Sequence, residues 1–400
     1  MDKDAGGWRG RRRTLGRVPH ALDPSGVPFG VGFAAGRPAP QAIETARLAE
    51  ALGYDALWLT DSHLAAREVY TLLGAIAVST ERLQLGPGVS HLAGRHPSVL
   101  ASAIGTLAEL APGRVRLGIG VGDTGARNLG VPRASLRELE AAVGAIRGLL
   151  SGEAVDGPSH PLRLAWAPSG PSEPSRRSGS SAPSRLSVPI VIAASGERTQ
   201  QLCGRIGDVA LISAIPAELP AAVQAVRSGE AAAGRPAGAC RILLWTTVSV
   251  DDDPKRARAA VRGSVARRAL NTLARPARAG TLAEPEAAAL ARLQQAHAAG
   301  QHDEADVAGL VPEAWIDRFA IAGTPDEVRA RLEAAVGDGA DEIAMILMGP
   351  GPGQRGTADQ LERFAESVLR PMRAVPSAAL LGRSTAVAQP AQAEPREERQ

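Results

Sequence analysis

The sequence predicts an α/β protein, a (β/α)8 TIM barrel with insertions and disordered termini, and three observations lead there. Eight short apolar runs of strand length alternate with segments of helical periodicity. No second domain's worth of residues is left once they are assigned. Several runs also break into glycine at their carboxyl ends, where parallel-strand barrels bind ligands.

In chain order, a leader over 1–27 precedes a first strand at Phe29–Phe33. A helix beginning near Pro40 carries Ile43, Ala46, Ala49 and Leu52, and Gly53 suits a left-handed cap. The second strand, Ala56–Thr60, runs into Asp61, Ser62 and His63, and a helix with Val69, Leu72, Leu73 and Ile76 follows. The third and fourth strands belong to the most informative stretch, Leu83–Asp123. Here Leu83 and Leu85 lead into Gly86-Pro87-Gly88-Val89, while Val115, Leu117 and Ile119 lead into Gly120, Gly122 and Asp123. Between them Pro97 suits a first helical position, and Leu100, Ile104, Leu107 and Ala111 share one face.

After Asp123 a loop is expected, then a helix opened by a Ser135/Glu138 capping box. Ser, Pro, Gly and Arg dominate 151–187, which reads as a mobile low-complexity insertion. Strands are expected again at Pro189–Ala194, Asp208–Ser213 and Arg241–Val250. The Ala- and Arg-rich segment 254–312 reads as several helices, a lid or an oligomer contact. Thr324 to Glu327 is a second capping box, Glu342–Met348 the eighth strand, and Leu361–Met372 a last helix. The expected organisation is therefore one barrel over 28–373, with a disordered basic leader and a disordered tail over 374–400.

Composition narrows the function. The net charge is +3, and the arginines at 9, 11, 12, 13 and 17 are confined to the leader. Aromatics make up 3% of the chain, too few for interleaved base-stacking platforms, so no nucleic-acid partner is expected. No apolar run approaches a bilayer span and no secretory signal is visible, which predicts a cytoplasmic protein without a membrane partner. Cys203 and Cys240 lack any CxxC spacing, so neither a disulfide nor a thiolate metal site is expected, and no metal is assigned. The Gly118-x-Gly120-x-Gly122 run departs from the dinucleotide fingerprint, with the third glycine early and the next helix expected only near Ser135. P-loop, HExxH and GxSxG motifs are missing.

Taken alone, the residues at the strand ends admit two readings each. Gly86 and Gly88 form either a turn or a bare surface against a planar ring. Ser195, Gly196 and Thr199 are a helix cap or, through free amides, an anion site. Asp61 and His63 lie where the second strand leaves the barrel, so they can bond a ligand, and His63 can shuttle a proton. Arg95 and His96 cap a helix or touch a ligand, and Asp123 caps a loop or faces the substrate.

The ordered series Asp61-Ser62, Gly88-Val89-Ser90, Arg95-His96-Pro97, Gly113-Arg114, Gly118 to Asp123 and Ala193-Ala194-Ser195-Gly196 resembles the luciferase-like monooxygenase superfamily. More narrowly it is similar to the coenzyme F420-dependent branch typified by methylenetetrahydromethanopterin reductase. The resemblance spans Phe29 to Met348. It implies a deazaflavin ring across the barrel mouth, with its phosphate near the fifth strand and a non-proline cis peptide at Gly88–Val89. Cofactor contacts then fall to Ser62, Gly86, Gly88, Val89, Arg95, His96, Gly122, Ala194, Ser195, Gly196 and Thr199, and catalytic roles to Asp61, His63 and Asp123.

The implied reaction is hydride transfer between deazaflavin C5 and a small organic substrate, which needs orientation more than a nucleophile or metal. Relatives are often dimers, so a homodimer is expected. One departure stands out: the methanogen reductases place an acidic residue on the first strand, where this chain has Gly32. The alternatives are an FMN-dependent monooxygenase of the same superfamily and a barrel without turnover that acts as a binding protein.

Overall fold

The computed structural model describes residues 26–34, 36–167, 186–213, 218–299, 307–349 and 356–374. The chain alternates strand and helix from the start: β1 (Phe29–Ala34), α1 (Ala39–Leu52), β2 (Ala56–Thr60), α2 (Val69–Ala77), β3 (Gln84–Pro87), β4 (Ser90–His91) and α3 (Pro97–Leu110). It continues with β5 (Leu117–Gly120), α4 (Asp123–Leu129), α5 (Leu136–Leu150), β6 (Ile190–Ala194), α6 (Glu197–Ile206), β7 (Val209–Ile212), α7 (Leu219–Ala232) and β8 (Arg241–Val250). Next come α8 (Pro254–Thr272), α9 (Ala274–Arg278) and α10 (Glu284–Ala298). The strands β9 (Ala320–Gly323) and β10 (Glu342–Leu347), with helices before and after them, complete the described chain.

All strand pairs are parallel, in the order β3-β2-β1-β10-β8-β7-β6-β5-β4. The barrel closes where Leu85 of β3 bridges Val115: the Leu85 amide donates to the Arg114 carbonyl at 2.6 Å, and the Arg116 amide to Leu85 at 2.9 Å. So β3 and β4 are one stave interrupted at Gly88–Val89, whose peptide bond is cis as the resemblance implied. With β5, β6, β7, β8, β10, β1 and β2 this reproduces the eight predicted staves. The strand β9 is an addition that pairs with the outer end of β8.

Strand period two sorts the side chains onto two faces. Val31, Leu57, Leu85, Leu117, Ile119, Ile190, Ile192, Ile242, Leu244, Ile343 and Met345 face outward and share one core with the helices. The inward set includes Ala56, Trp58, Val191, Val209, Leu211, Leu243, Trp245 and Ala344. Glycine on β1, β3 and β5 leaves the interior short of volume, and the two indoles fill it. A Cβ on Gly32 would lie 2.5 Å from Trp245, and one on Gly86 3.0 Å from Trp58.

The helix ends follow their predicted chemistry. Gly53 caps α1 in the left-handed region at φ 93°, and the Ser135/Glu138 and Thr324/Glu327 capping boxes are both formed. Cys203 and Cys240 are buried free thiols.

Two expectations are corrected and two elements are added. The segment after Gly122 is not a loop but α4, which runs from Gly122 at φ 83° to Gly130 at φ 67°. It buries little of its length, chiefly Gly125 and Ala126, so no apolar periodicity marks it in the sequence. The front of the 151–187 insertion packs on the barrel: Val155 and Leu162 pair as an antiparallel bridge and, with Leu164 and Leu186, contact the main core. The low-complexity stretch 168–185 lies outside the described residues, as do the leader over 1–25 and the tail from 375. Lastly, the strand β9 and the helix Glu313–Phe319 were not anticipated. Together with α8, α9 and α10 they enclose a second apolar cluster around Val261, Val265, Leu293, Trp315, Ile316 and Phe319.

Candidate active site

At the carboxyl end of the barrel β2 and the β3–β4 stave carry a connected polar group. Asp61, immediately after β2, is buried, and its Oδ2 accepts hydrogen bonds from Ser90 Oγ at 2.9 Å and from Arg95 Nη1. Arg95 donates through Nη2 to Glu68 Oε1 at 2.8 Å, and its guanidinium lies 5.3 Å from the Tyr70 ring centroid. Tyr70 and Ser90 share a hydroxyl–hydroxyl bond of 2.9 Å. Burial works against the Arg95 charge, but Asp61 and Glu68 outweigh it and raise its pKa. Burial, the first cause, also pushes the Tyr70 phenol up, so it stays protonated.

Two histidines complete this rim. His63 places Nδ1 3.7 Å from Asp61 Oδ1, and its ring meets that of His91 edge-on with centroids 5.0 Å apart. His63 Nδ1 and both ring nitrogens of His91 are buried without a hydrogen-bond partner. Burial, chiefly, and the nearby His63 and Arg95 lower the His91 pKa, against the pull of Asp61.

In the adjoining wall glycine lets neighbouring segments approach closely. A Cβ on Gly118 would fall 2.0 Å from the Pro87 carbonyl oxygen, and one on Gly120 3.2 Å from Val89. Gly122 takes φ 83°, a conformation that favours glycine. Val89 is thus the side chain packed over these glycines, and Trp58 and Trp245 lie next to Gly88. The Trp245 ring also covers Gly32, so it occupies the space an acidic side chain on β1 would need.

The sequence-predicted residues divide accordingly. Asp61, His63 and Arg95 come together, with Ser62 beside them and half-buried. Gly86, Gly88, Val89 and Gly122 line the neighbouring wall. Ala194 is buried at the end of β6, while Ser195 and Gly196 are exposed and Gly196 caps α6. The Thr199 amide donates to the Gly196 carbonyl at 2.9 Å, and a Cβ on Gly196 would meet open space. His96 stands apart: it is exposed and caps α3, its Nδ1 accepting from the Ser98 amide at 3.2 Å. The side chain of Asp123 lies outside the described residues, although its backbone begins α4.

Sequence reasoning missed Ser90, Glu68 and, above all, His91. His91 follows the glycine break of the third strand just as His63 follows the second, which was the available signal. A family model for luciferase-like monooxygenases matches residues 24–342. The 5,10-methylenetetrahydromethanopterin reductase of Methanolobus tindarius is 28% identical over 330 residues, 79% of this chain and 92% of that protein. The enzyme of the same name from Archaeoglobus fulgidus is 33% identical over 293 residues, 72% of this chain and 83% of its own length. The solved structure of the coenzyme F420-dependent tetrahydromethanopterin reductase of Methanopyrus kandleri superposes with a TM-score of 0.70 at 21% identity. That match spans 87% of this chain and 100% of the other, and it speaks for the fold.

Proposed function

The chain belongs to the luciferase-like monooxygenase family, and from that premise we propose that it is an F420-dependent oxidoreductase. It transfers a hydride between the deazaflavin and a small organic substrate. One observation carries the reading: an ordered polar rim of Asp61, Ser90, Arg95 and Glu68 stands at the barrel mouth, beside the closely packed glycine-rich staves β3–β4 and β5. The residues fit a ring bearing polar atoms, since the unpartnered nitrogens of His63 and His91 offer polar contacts at its edge.

When bound, F420 supplies a carbon centre that accepts or donates hydride. The protein's own residues bind, orient and manage protons. Gly86, Gly88, Val89 and Gly122 shape the ring-facing wall, with Ala194 behind its far end. Ser62 and Arg95 border the ring. Asp61, fixed by Ser90 and Arg95, orients His63, the half-buried titratable group placed to exchange a proton at the mouth. Asp123 is the candidate substrate-facing carboxylate, and His96 remains a candidate for the cofactor's side chain.

Ser195 and Gly196, at the start of α6, would receive the phosphate on backbone amides, with the Thr199 hydroxyl beside them because the Thr199 amide already donates to Gly196, although Glu197 in that first turn opposes an anion. We read 28–373 as one barrel unit with α8, α9 and α10 as an inserted cover. Arg268 of α8 supports this by donating to Ser213 Oγ at 2.6 Å, at the mouth end of β7. The expected homodimer would bury the outer face of α3, where Val99 and Leu110 are exposed. A cytoplasmic location is part of the same reading.

The test is a side-by-side titration with F420 and FMN, followed by calorimetry and by the fluorescence of the indoles Trp58 and Trp245. Micromolar F420 binding with much weaker FMN binding is expected. The reverse preference would overturn the assignment and point to oxygen chemistry.

A further inference from the structure

We infer that Asp61, His63 and His91 form a binding site for a divalent transition-metal ion of the zinc type on the rim of the barrel mouth. Each of the three offers a ligand atom, and these atoms all lie within 4.8 Å of one another. Asp61 Oδ1 and His63 Nδ1 are 3.7 Å apart. Tetrahedral coordination with bonds of about 2.1 Å sets ligand atoms roughly 3.4 Å apart, so the Asp61–His63 pair is close to that spacing and the widest pair, within 4.8 Å, closes by up to about 1.4 Å on binding.

The donors are also uncommitted. Asp61 directs Oδ2 to Ser90 and Arg95, which leaves Oδ1 turned to His63. His63 Nδ1 and both nitrogens of His91 are buried without partners, and His91 is 2% exposed. A buried polar nitrogen without a partner destabilises the fold, and coordination would satisfy one nitrogen on each imidazole.

The surroundings favour a cation held in place. The carboxylates of Asp61 and Glu68 face the single guanidinium of Arg95, so this group is net negative. His91 sits on β4, paired with Gly120 of β5, and Asn128 Nδ2 donates to the His63 carbonyl at 2.7 Å. Both imidazoles are seated against glycine: a Cβ on Gly94 would lie 2.6 Å from His63 Nε2, and one on Gly125 1.9 Å from His91 Nε2. Larger residues would displace the rings.

Two imidazoles and one carboxylate suit zinc, cobalt, nickel or ferrous ions, and three protein ligands leave a position for water or a substrate oxygen. An ion on His63 Nδ1 would take that nitrogen out of proton exchange and polarise the substrate oxygen instead. The site shares Asp61, His63 and His91 with the proposed cofactor pocket, so ion and cofactor contacts at these atoms are alternative states, but its test does not depend on the cofactor reading because binding is measured without any flavin or deazaflavin.

The experiment uses tag-free full-length protein stripped with a chelator, then titrated with Zn2+ by calorimetry and with Co2+ by visible absorption. Saturation at one ion per chain is expected, with intensified d–d bands for Co2+ that Zn2+ abolishes. His63→Ala and His91→Ala should each weaken Zn2+ binding by about tenfold or more, a loss of about 1.4 kcal/mol. His63 is the more exposed of the two, so His63→Ala is decisive if His91→Ala does not fold. A wild-type protein that leaves Co2+ with its aqueous spectrum and gives no Zn2+ heat would overturn the inference. So would Zn2+ affinity unchanged in His63→Ala.

Discussion

Arg116 and Glu342, 226 positions apart, form a two-pronged ion pair inside the barrel with Nη1–Oε2 and Nη2–Oε1 distances of 2.5 and 2.7 Å. They enter from β10 and the approach to β5, on the end of the barrel opposite the proposed mouth. The Arg116 guanidinium lies 5.9 Å from the Trp58 ring centroid, so charge, indole and glycine share this floor. Function in such barrels sits at the carboxyl end and stability at the other, which makes this pair structural.

Glu342→Ala leaves Arg116 buried without its partner and should cost about 3–5 kcal/mol in urea unfolding. Arg241 also reaches Glu342, at 3.3 Å, but its side chain is 41% exposed. Arg241→Ala should therefore change stability by less than about 1 kcal/mol. Equal losses in the two variants would contradict the division.

The thiols give a pH signature. Burial, the first cause in both, pushes Cys240 up to about 12 and Cys203 well above an ordinary thiol. The unfolded chain ionises these groups near 9, so above that pH the folded state holds more protons. Stability contributed by the neutral thiols is complete below about pH 9 and declines as pH rises toward the folded values. Alkylation of native protein at pH 8.5 should accordingly be negligible and become rapid in denaturant. Quick labelling of the folded chain would refute this.

Gly118 tests the close approach of the β3 and β5 staves. A Cβ there would fall 2.0 Å from a backbone oxygen of Pro87, so Gly118→Ala requires the β3 and β5 staves to part. A loss of about 2–3 kcal/mol is expected by chemical denaturation. Gly144→Ala, in α5 with nothing within 4 Å of the added carbon, should be neutral or gain up to about 1 kcal/mol.

The staves were legible because each is a short apolar run bounded by helix caps or glycine, and the capping residues Ser135, Thr324 and Gly53 act locally. Asp61 and His63 were legible by position, as the first polar residues past β2. His91 was marked only by its place after the Gly88 break, because its role depends on a ring 5.0 Å away in the loop after β2. Arg116 and Glu342 read as ordinary charges in sequence. Their burial follows from barrel closure, which no local pattern encodes. The helix α4 escaped notice because it buries too little to leave a period.

The relation between Gly32 and Trp245 supplies a last test, since the indole fills the space over β1. A Cβ on Gly32 would lie 2.5 Å from the far edge of the Trp245 indole, and that ring also packs on Gly88. Gly32→Ala should therefore cost about 1–3 kcal/mol through overpacking. Trp245→Leu removes the edge that clashes but leaves a void of its own, costing on the order of 2–4 kcal/mol. Because the two side chains compete for one space, the double variant should be more stable than the sum of the single losses by about 1 kcal/mol or more. Urea titration of the four proteins measures this directly. Strict additivity would mean that the backbone of β1, rather than the indole, yields to the extra carbon, and the space over Gly32 would then be open to a larger side chain with Trp245 in place.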